Sequence, residues 1–470
     1  MSEQLVDIIV SGADIVTMDP ANPVIKGGEI CVLDGKIFAI GTSAEIAAKG
    51  ITAKQRIEVS QSIVMPGMID GHTHLFQNLG KTLGDGLALL PWLARFMLPL
   101  AATINEKEAL AAIRLGALHG VLCGTTSIVD NHYAPVDSRT IIDAANAMEE
   151  VGVRGAVARG IFGPMVEGGI RMNCDERLFK YSAAEEIEIT AECIAEKPSG
   201  SLVEVWPAPE NVVYLDPDLM MACDELAQKH NVSWHAHCSE SQFEVEIFQS
   251  IYGKRPAKWL HDNNLLSDRT TLAHGIWFDE EEVSLLGQAG ATLIHNPISN
   301  QFLASGIIKL GPLMEAGANV ALGTDGVAVA GQDMFEAMKS SQMLQHMREL
   351  DPESSSAELV LCMATRNGGR MMKKKIGQLK EGWAADFVVV DMSGVHQQPP
   401  TRPVCCLTQS TRGSDVQHVV IDGQLVVENG RSTKVDQDKI IADALQASSD
   451  LIDRAGIREL VVDWFEPKKH

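Results

Sequence analysis

Histidines and one aspartate recur where apolar runs of this sequence end. Met65-Pro66-Gly67-Met68-Ile69-Asp70-Gly71-His72-Thr73-His74 closes one run with a His-X-His pair. On a strand, residues i and i+2 point to the same side, so His72 and His74 present two imidazoles in one direction. Two neutral imidazoles held this way are half of a zinc or iron site. Alone the pair is weak evidence, because satisfied, partly buried histidines are common. Later runs supply the rest: Trp234-His235-Ala236-His237, Leu272-Ala273-His274, Leu293-Ile294-His295 and Leu322-Gly323-Thr324-Asp325. Core packing would not place the 14 histidines of a 470-residue chain at run ends so regularly. His72, His74, His237 and Asp325 read together as metal ligands, and His274 as a ligand or as a partner of the metal's water. His235, one position inside its run, fits packing or support of a ligand at least as well as ligation. His295 precedes Asn296-Pro297 and suits a turn as readily as a site. His119 and His132 read as structural or surface residues.

These groups need a scaffold that gathers strand ends. Eight strand-like runs, at 63–70, 125–130, 153–160, 202–208, 232–237, 270–274, 291–295 and 319–324, alternate with helical patterns at 105–122, 138–151, 183–197, 216–230, 241–264, 279–289 and 305–317. Eight β/α units over this length predict an α/β fold, a (β/α)8 TIM barrel whose active site lies at the C-terminal strand ends. A doubly wound open sheet is the alternative, but it usually carries a Gly-rich phosphate loop after its first strand, where this chain has histidines. Further helical patterns follow at 332–349 and 355–371. Short strands precede residue 62, with an Asp34-Gly35 hairpin signal, and others follow near 386–391, 418–421 and 424–428. The expected domains are therefore 1–62 with 375–435 as a composite β-sandwich formed by both termini, 63–374 as the barrel, and 436–470 as a C-terminal helix and tail.

Composition excludes several roles. A formal net charge of −23 disfavours nucleic acid and anionic membrane surfaces as partners. No uncharged apolar stretch approaches a membrane span, and the N-terminus lacks the pattern of a signal peptide. The nine cysteines are scattered without a CxxC pair, which fits reduced thiols in a cytoplasmic protein.

Pro66 to His74, His237-Cys238-Ser239-Glu240, Ala273-His274, His295-Asn296-Pro297-Ile298-Ser299-Asn300 and Gly323-Thr324-Asp325-Gly326 together resemble the amidohydrolase superfamily, in its branch of aromatic deaminases and triazine hydrolases. The resemblance spans nearly the whole chain, through Gly377 to Asp386 and Val420 to Gly423. It implies a (β/α)8 barrel with a composite β-sandwich, a divalent metal, hydrolysis at an amidine-like ring carbon, and a homo-oligomer, commonly a dimer. Members with two metals end the fourth strand in a carboxylated lysine. Leu202 to Pro209 contains no lysine, so a single ion is expected, Zn2+ with Fe2+ as the alternative.

A bound divalent ion brings the pKa of its water from near 16 to about 7. Asp325 can accept the proton so released, and His274 can orient the nucleophile. Glu240, three residues after His237, is expected to protonate a ring nitrogen and then the leaving group. The same position suits a carboxylate facing the dipole of the helix that follows. Trp92, in Leu-Pro-Trp-Leu, either walls the pocket or packs a helix. In nucleoside-type members a Glu before this Trp binds ribose hydroxyls and a His after the fourth-strand proline reads a purine nitrogen. Here those positions are Pro91 and Glu210. Both departures argue against adenosine-like substrates. Glu210 is expected to accept hydrogen bonds from ring N–H or amino groups, and Trp92, Glu210 and His295 form the expected substrate-binding set. The expected reaction is hydrolytic deamination of an aminated N-heterocycle (a free base, pterin or triazine-like ring), with the small molecule and water as partners and ammonia as product. A chlorohydrolase or amidohydrolase acting on a triazine-like ring, and a deaminase of the S-adenosylhomocysteine or methylthioadenosine type, are the alternatives. A non-catalytic metal-stabilised binding protein fits less well, since a structural zinc site needs no acid–base neighbours.

Overall fold

The computed structural model describes residues 4–326, 328, 329 and 331–464, so the last part of the expected tail, 465–470, lies outside the described residues. Both ends of the chain build one nine-stranded sheet. Its N-terminal members are β1 (Gln4–Val16), β2 (Val24–Leu33), β3 (Lys36–Thr42), β4 (Ile51–Glu58) and β5 (Ser62–Pro66). Eight parallel strands follow: β6 (Met68–Thr73), β7 (Thr125–His132), β8 (Arg154–Ile161), β9 (Val203–Pro209), β10 (Trp234–Cys238), β11 (Thr270–His274), β12 (Thr292–His295) and β13 (Asn319–Leu322). The large sheet is then completed by β14 (Phe387–Asp391), β15 (Val416–Ile421), β16 (Gln424–Glu428) and β17 (Arg431–Ser432), in the order β17-β16-β15-β14-β5-β1-β2-β3, with β4 beside β1. Strand β14 pairs antiparallel with β5, so the two termini meet in the middle of the sheet. Apolar residues at alternating positions, such as Ile8, Val10, Ile30, Val32, Val64, Phe387 and Val389, form its core.

The eight parallel strands form two four-stranded sheets, β6-β7-β8-β9 and β10-β11-β12-β13, with helices between successive strands. Parallel bridges touch across both junctions, Asn211 with His237 and Thr73 with Asp325. Strands β7, β8 and β9 are buried along their whole length, on both faces, as covered parallel strands should be. Arg154 on β8 ties this part to the terminal sheet. Its Nε donates to Asp386 Oδ2 at 2.7 Å and its Nη2 to Asp422 Oδ1 at 2.9 Å.

Several elements differ from the sequence expectation. The apolar run 63–70 is two strands: Ser62–Pro66 belongs to the terminal sheet and Met68–Thr73 to the parallel set. The break falls at Gly67, where a Cβ would lie 2.1 Å from the Thr126 side chain. The expected helix 241–264 is divided into Gln242–Tyr252 and Pro256–Asp262, because Gly253 ends the first in the left-handed region (φ +69°) and Pro256 starts the second. The pattern at 305–317 forms a helix only over Leu310–Glu315, and a short helix at Pro297–Phe302 precedes it. The 355–371 pattern breaks at Thr365. Strand β4 escapes the sequence reading because its side chains are mostly exposed and polar. Among the described residues no helix is long and apolar enough to cross a membrane.

Candidate active site

His72, His74, His237 and Asp325 converge although they come from the C-terminal end of β6 and the residue after it, from β10, and from the loop just beyond β13. One ligand atom from each lies within 4.8 Å of all the others. Asp325 Oδ1 is 3.0 Å from His72 Nε2 and 3.2 Å from His74 Nε2, and His237 Nε2 is 3.3 Å from His74 Nε2. All four residues are buried. Two of the imidazoles are oriented by backbone. His74 Nδ1 donates to the carbonyl of Asn131 and His237 Nδ1 to that of Glu210, each at 2.7 Å. Hydrogen on Nδ1 leaves a lone pair on each Nε2, the atom that faces the cluster. His72 Nδ1 meets another ring, His235 Nε2, at 2.7 Å.

Electrostatics keep His72, His237 and Asp325 in ligating form. Burial pushes the pKa values of His72 and His237 down, so both imidazoles are neutral. Burial alone would lower His74 as well, but the hydrogen bond and charge of Asp325 outweigh it and raise the value. Burial likewise opposes ionisation of Asp325, and the imidazoles around it overcome that and hold its carboxyl well below the usual range. Three imidazoles and a carboxylate at one point fit a single divalent ion, and zinc by the chemistry of the donors.

The cleft beside this cluster is lined by other sequence-predicted residues. Glu240, His274, Trp92 and Glu210 all reach it. Ser305 Oγ donates to Glu240 Oε1 at 3.1 Å, and Glu240 Oε2 lies 3.7 Å from His274 Nε2. The helix-capping role open to Glu240 is filled elsewhere: Ser241 and Glu244 form a reciprocal capping box at the start of Gln242–Tyr252. Burial raises the Glu240 carboxyl well above its ordinary value and raises Glu210 to about 8. His274 is lowered to about 3 by burial, and its Nδ1 lies 3.0 Å from Asn300 Nδ2. Glu210 Oε1 stands 3.4 Å from His237 Nδ1. Trp92 closes the side of the cleft with Leu89 and Leu93.

His295 stands apart. It is buried at the end of β12, its two ring nitrogens have no hydrogen-bond partner, and it is not among the residues lining the cleft. Asn296 and Asn300, on the turn and helix after it, hold His274 instead. His132 is buried on β7 with Nδ1 3.4 Å from Asp130, in agreement with a structural role. Sequence reasoning missed Gln77, Tyr133, Asn211 and Tyr214 on the cleft wall. The i, i+4 spacing of Asn296 and Asn300 was a usable signal for their shared face.

A model of the amidohydrolase family matches residues 63–426. The chain is 32% identical over 451 residues to a 5-methylthioadenosine/S-adenosylhomocysteine deaminase of Syntrophobacter fumaroxidans, covering 94% of this chain and 97% of the relative. This chain belongs to the amidohydrolase family. Among solved structures, an adenosine deaminase from Xanthomonas campestris with bound zinc superposes with a TM-score of 0.89 at 24% identity, over 96% of this chain and 100% of that one. Atrazine chlorohydrolase from Arthrobacter aurescens TC1 complexed with zinc gives 0.87 at 23%, over 94% and 100%. These likenesses establish a shared fold, and the amidohydrolase chain described here carries the four-residue donor cluster within it.

Proposed function

We propose that this amidohydrolase is a metal-dependent aminohydrolase that replaces the amino group on a ring carbon of an N-heterocycle by a carbonyl and releases ammonia. The observation that carries the reading is the placement of a buried carboxylic acid, Glu240, and a buried imidazole, His274, on the wall of the cleft that holds the His72, His74, His237 and Asp325 cluster. The reading takes 63–374 as one closed (β/α)8 barrel, supported by the bridges at both sheet junctions. The sheet of 1–62 and 375–435 flanks it as a composite sandwich.

His72, His74, His237 and Asp325 would hold the ion, which when bound would supply the Lewis acidity that makes water a nucleophile near neutral pH. The chain's own groups manage the protons. Glu240, protonated because of its burial, donates to the ring nitrogen next to the carbon under attack. That carbon gains a C–O bond as Asp325 takes one proton of the attacking water. His274, its Nδ1 side engaged by Asn300, turns Nε2 towards both Glu240 and Asp325 (3.7 and 3.8 Å) and steadies the oxygen. Glu240 recovers the remaining hydroxyl proton, and the proton held by Asp325 passes to the amino group. The C–N bond breaks with its electron pair on nitrogen, leaving ammonia and a ring lactam. Trp92 supplies an apolar wall for the ring, and Glu210 accepts from or donates to the ring edge according to its protonation.

An aminated free base, pterin or triazine-like ring suits the departures at Pro91 and Glu210. The relative named for methylthioadenosine and S-adenosylhomocysteine favours a second reading, an adenosine-type nucleoside. A panel of free bases, pterins, triazines and nucleosides, assayed for ammonia and for chloride with zinc-loaded protein, separates the readings. Release of ammonia from none of them overturns the proposal.

A further inference from the structure

His72 is anchored differently from the other two histidines of the cluster. Its Nδ1 lies 2.7 Å from His235 Nε2, and His235 Nδ1 lies 2.8 Å from Thr271 Oγ1. Thr271 Oγ1 donates in turn to the Trp234 carbonyl at 2.8 Å. His235 and Thr271 are register partners on β10 and β11, which explains why their side chains meet. His72, His235 and Thr271 are fully buried, so water does not compete for these contacts.

The end of this chain of contacts fixes every proton in it. A backbone carbonyl only accepts, so the single hydroxyl hydrogen of Thr271 goes to Trp234. The Thr271 oxygen must then accept, which puts hydrogen on His235 Nδ1. A neutral His235 is left with a bare Nε2, and His72 has to be the donor. Hydrogen on His72 Nδ1 leaves the lone pair on Nε2, the atom 3.0 Å from Asp325 Oδ1. One β10 strand thus carries His237 as a member of the cluster and, two residues earlier, the residue that orients His72 from behind.

We propose that His235 is a positioning residue which, through Thr271 and the Trp234 carbonyl, sets the tautomer and ring orientation of His72 and thereby its capacity to bind the metal. The proposal rests on His72 being a ligand and is independent of the substrate. The test is zinc affinity, measured on metal-free protein by competition with a chromophoric chelator, together with the thermal midpoint of the metal-free form. His72→Ala checks the underlying reading: if zinc affinity does not fall, the metal-site reading itself fails. His235→Leu removes the acceptor and should weaken zinc binding by about 10- to 100-fold. His235→Gln, whose amide oxygen can accept from His72 Nδ1, should regain most of that loss. Thr271→Val, which keeps shape and removes the hydroxyl, should weaken binding in the same direction and serves if His235→Leu does not fold. Native affinity in a folded His235→Leu or Thr271→Val protein, alongside a weakened His72→Ala, overturns the proposal. Equal losses for His235→Leu and His235→Gln overturn it as well, since filling the space alone would then explain the residue. Nitrogen-15 spectra of histidine-labelled metal-free protein give the tautomer directly: a pyridine-type Nδ1 on His72 is incompatible with the relay.

Discussion

Replacing the Glu240 carboxyl by an amide changes proton chemistry while keeping shape. Glu240→Gln retains a carbonyl oxygen that can accept from Ser305 Oγ, the contact that holds the side chain at 3.1 Å. It removes a group that exchanges a proton with the ring nitrogen. General acid–base catalysis contributes roughly 10²–10⁴ in rate, or about 3–5.5 kcal/mol at 1.36 kcal/mol per decade. The structure argues for the upper half of that range, because each other carboxyl on the described cleft wall already has another role. Glu244 is engaged by Asn211 Nδ2 at 2.7 Å and by the Ser241 amide at 2.8 Å. Asp325 is committed to His72 and His74, and Glu210 sits against His237. The expected result is full metal content by mass spectrometry and a kcat for ammonia release reduced by about 10³–10⁴. Ser305→Ala should cost less. One hydrogen bond to a neutral carboxyl is worth about 0.5–1.5 kcal/mol, so a fall of roughly 2- to 10-fold, mostly in kcat, is expected. A Glu240→Gln protein with native zinc content and more than a tenth of native turnover would refute the role given to Glu240.

Three further outcomes follow from the same geometry. Dialysis against a strong chelator should abolish activity and lower the thermal midpoint, with both restored by one equivalent of zinc per chain, since binding to the folded state alone stabilises it. Asp386→Ala leaves Arg154, whose side chain is 9% exposed, with only the more exposed Asp422 as partner; a loss of about 3–5 kcal/mol is expected in denaturant unfolding. His119 is held at about 4 by burial and by the nearby Lys81 charge, against 6.5 when unfolded. The unfolded chain therefore takes up the proton first, so the stabilisation is complete above about pH 6.5 and is lost as pH falls towards 4, on the order of 3 kcal/mol. His119→Gln should flatten the midpoint-against-pH curve in that window, and an unchanged slope would count against the assignment.

The donor cluster was legible because strand periodicity does the placing. His-X-His on a strand end puts two rings on one side whatever surrounds it, and five run ends carried residues of the right type. The alternation of strands and helices was legible for the same reason. Residues whose position depends on packing between distant segments were harder to read. His295 ends its strand as His274 does, yet only His274 reaches the cleft. Nothing local distinguishes the two. The difference lies in Asn296 and Asn300, which reach back to His274 from the following helix. Helix breaks such as that at Thr365, and the split of the first apolar run at Gly67, reflect close approaches of other elements that one-dimensional periodicity does not record.

Backbone strain at the strand ends explains why the donor positions are coupled to one another. His274 (φ +75°), Asp325 (φ +61°) and Ser239 (φ +53°) occupy the left-handed region, which costs a non-glycine residue about 1–3 kcal/mol and persists only where the surroundings over-determine it. The pinning contacts come from neighbouring strand ends. The Asp325 amide donates to the His72 carbonyl at 2.8 Å, and the Asp325 carbonyl accepts from the Thr73 hydroxyl at 3.0 Å and the His74 amide at 3.3 Å. Across the other side, the Gly275 amide donates to the Cys238 carbonyl and the Trp277 amide to that of Ser239. His72, His74 and Asp325 thus form one backbone unit, and His237, Ser239 and His274 another. Within the cluster the two meet through side chains, and the β10-β11-β12-β13 ladder connects them through the backbone. A substitution at Thr73, whose hydroxyl also lies 3.2 Å from that of Thr324, would therefore displace Asp325 relative to both histidines although Thr73 contributes no atom to the cluster. Ligand geometry in this chain is a property of paired strand ends, which is why donors 253 residues apart in sequence converge within 4.8 Å.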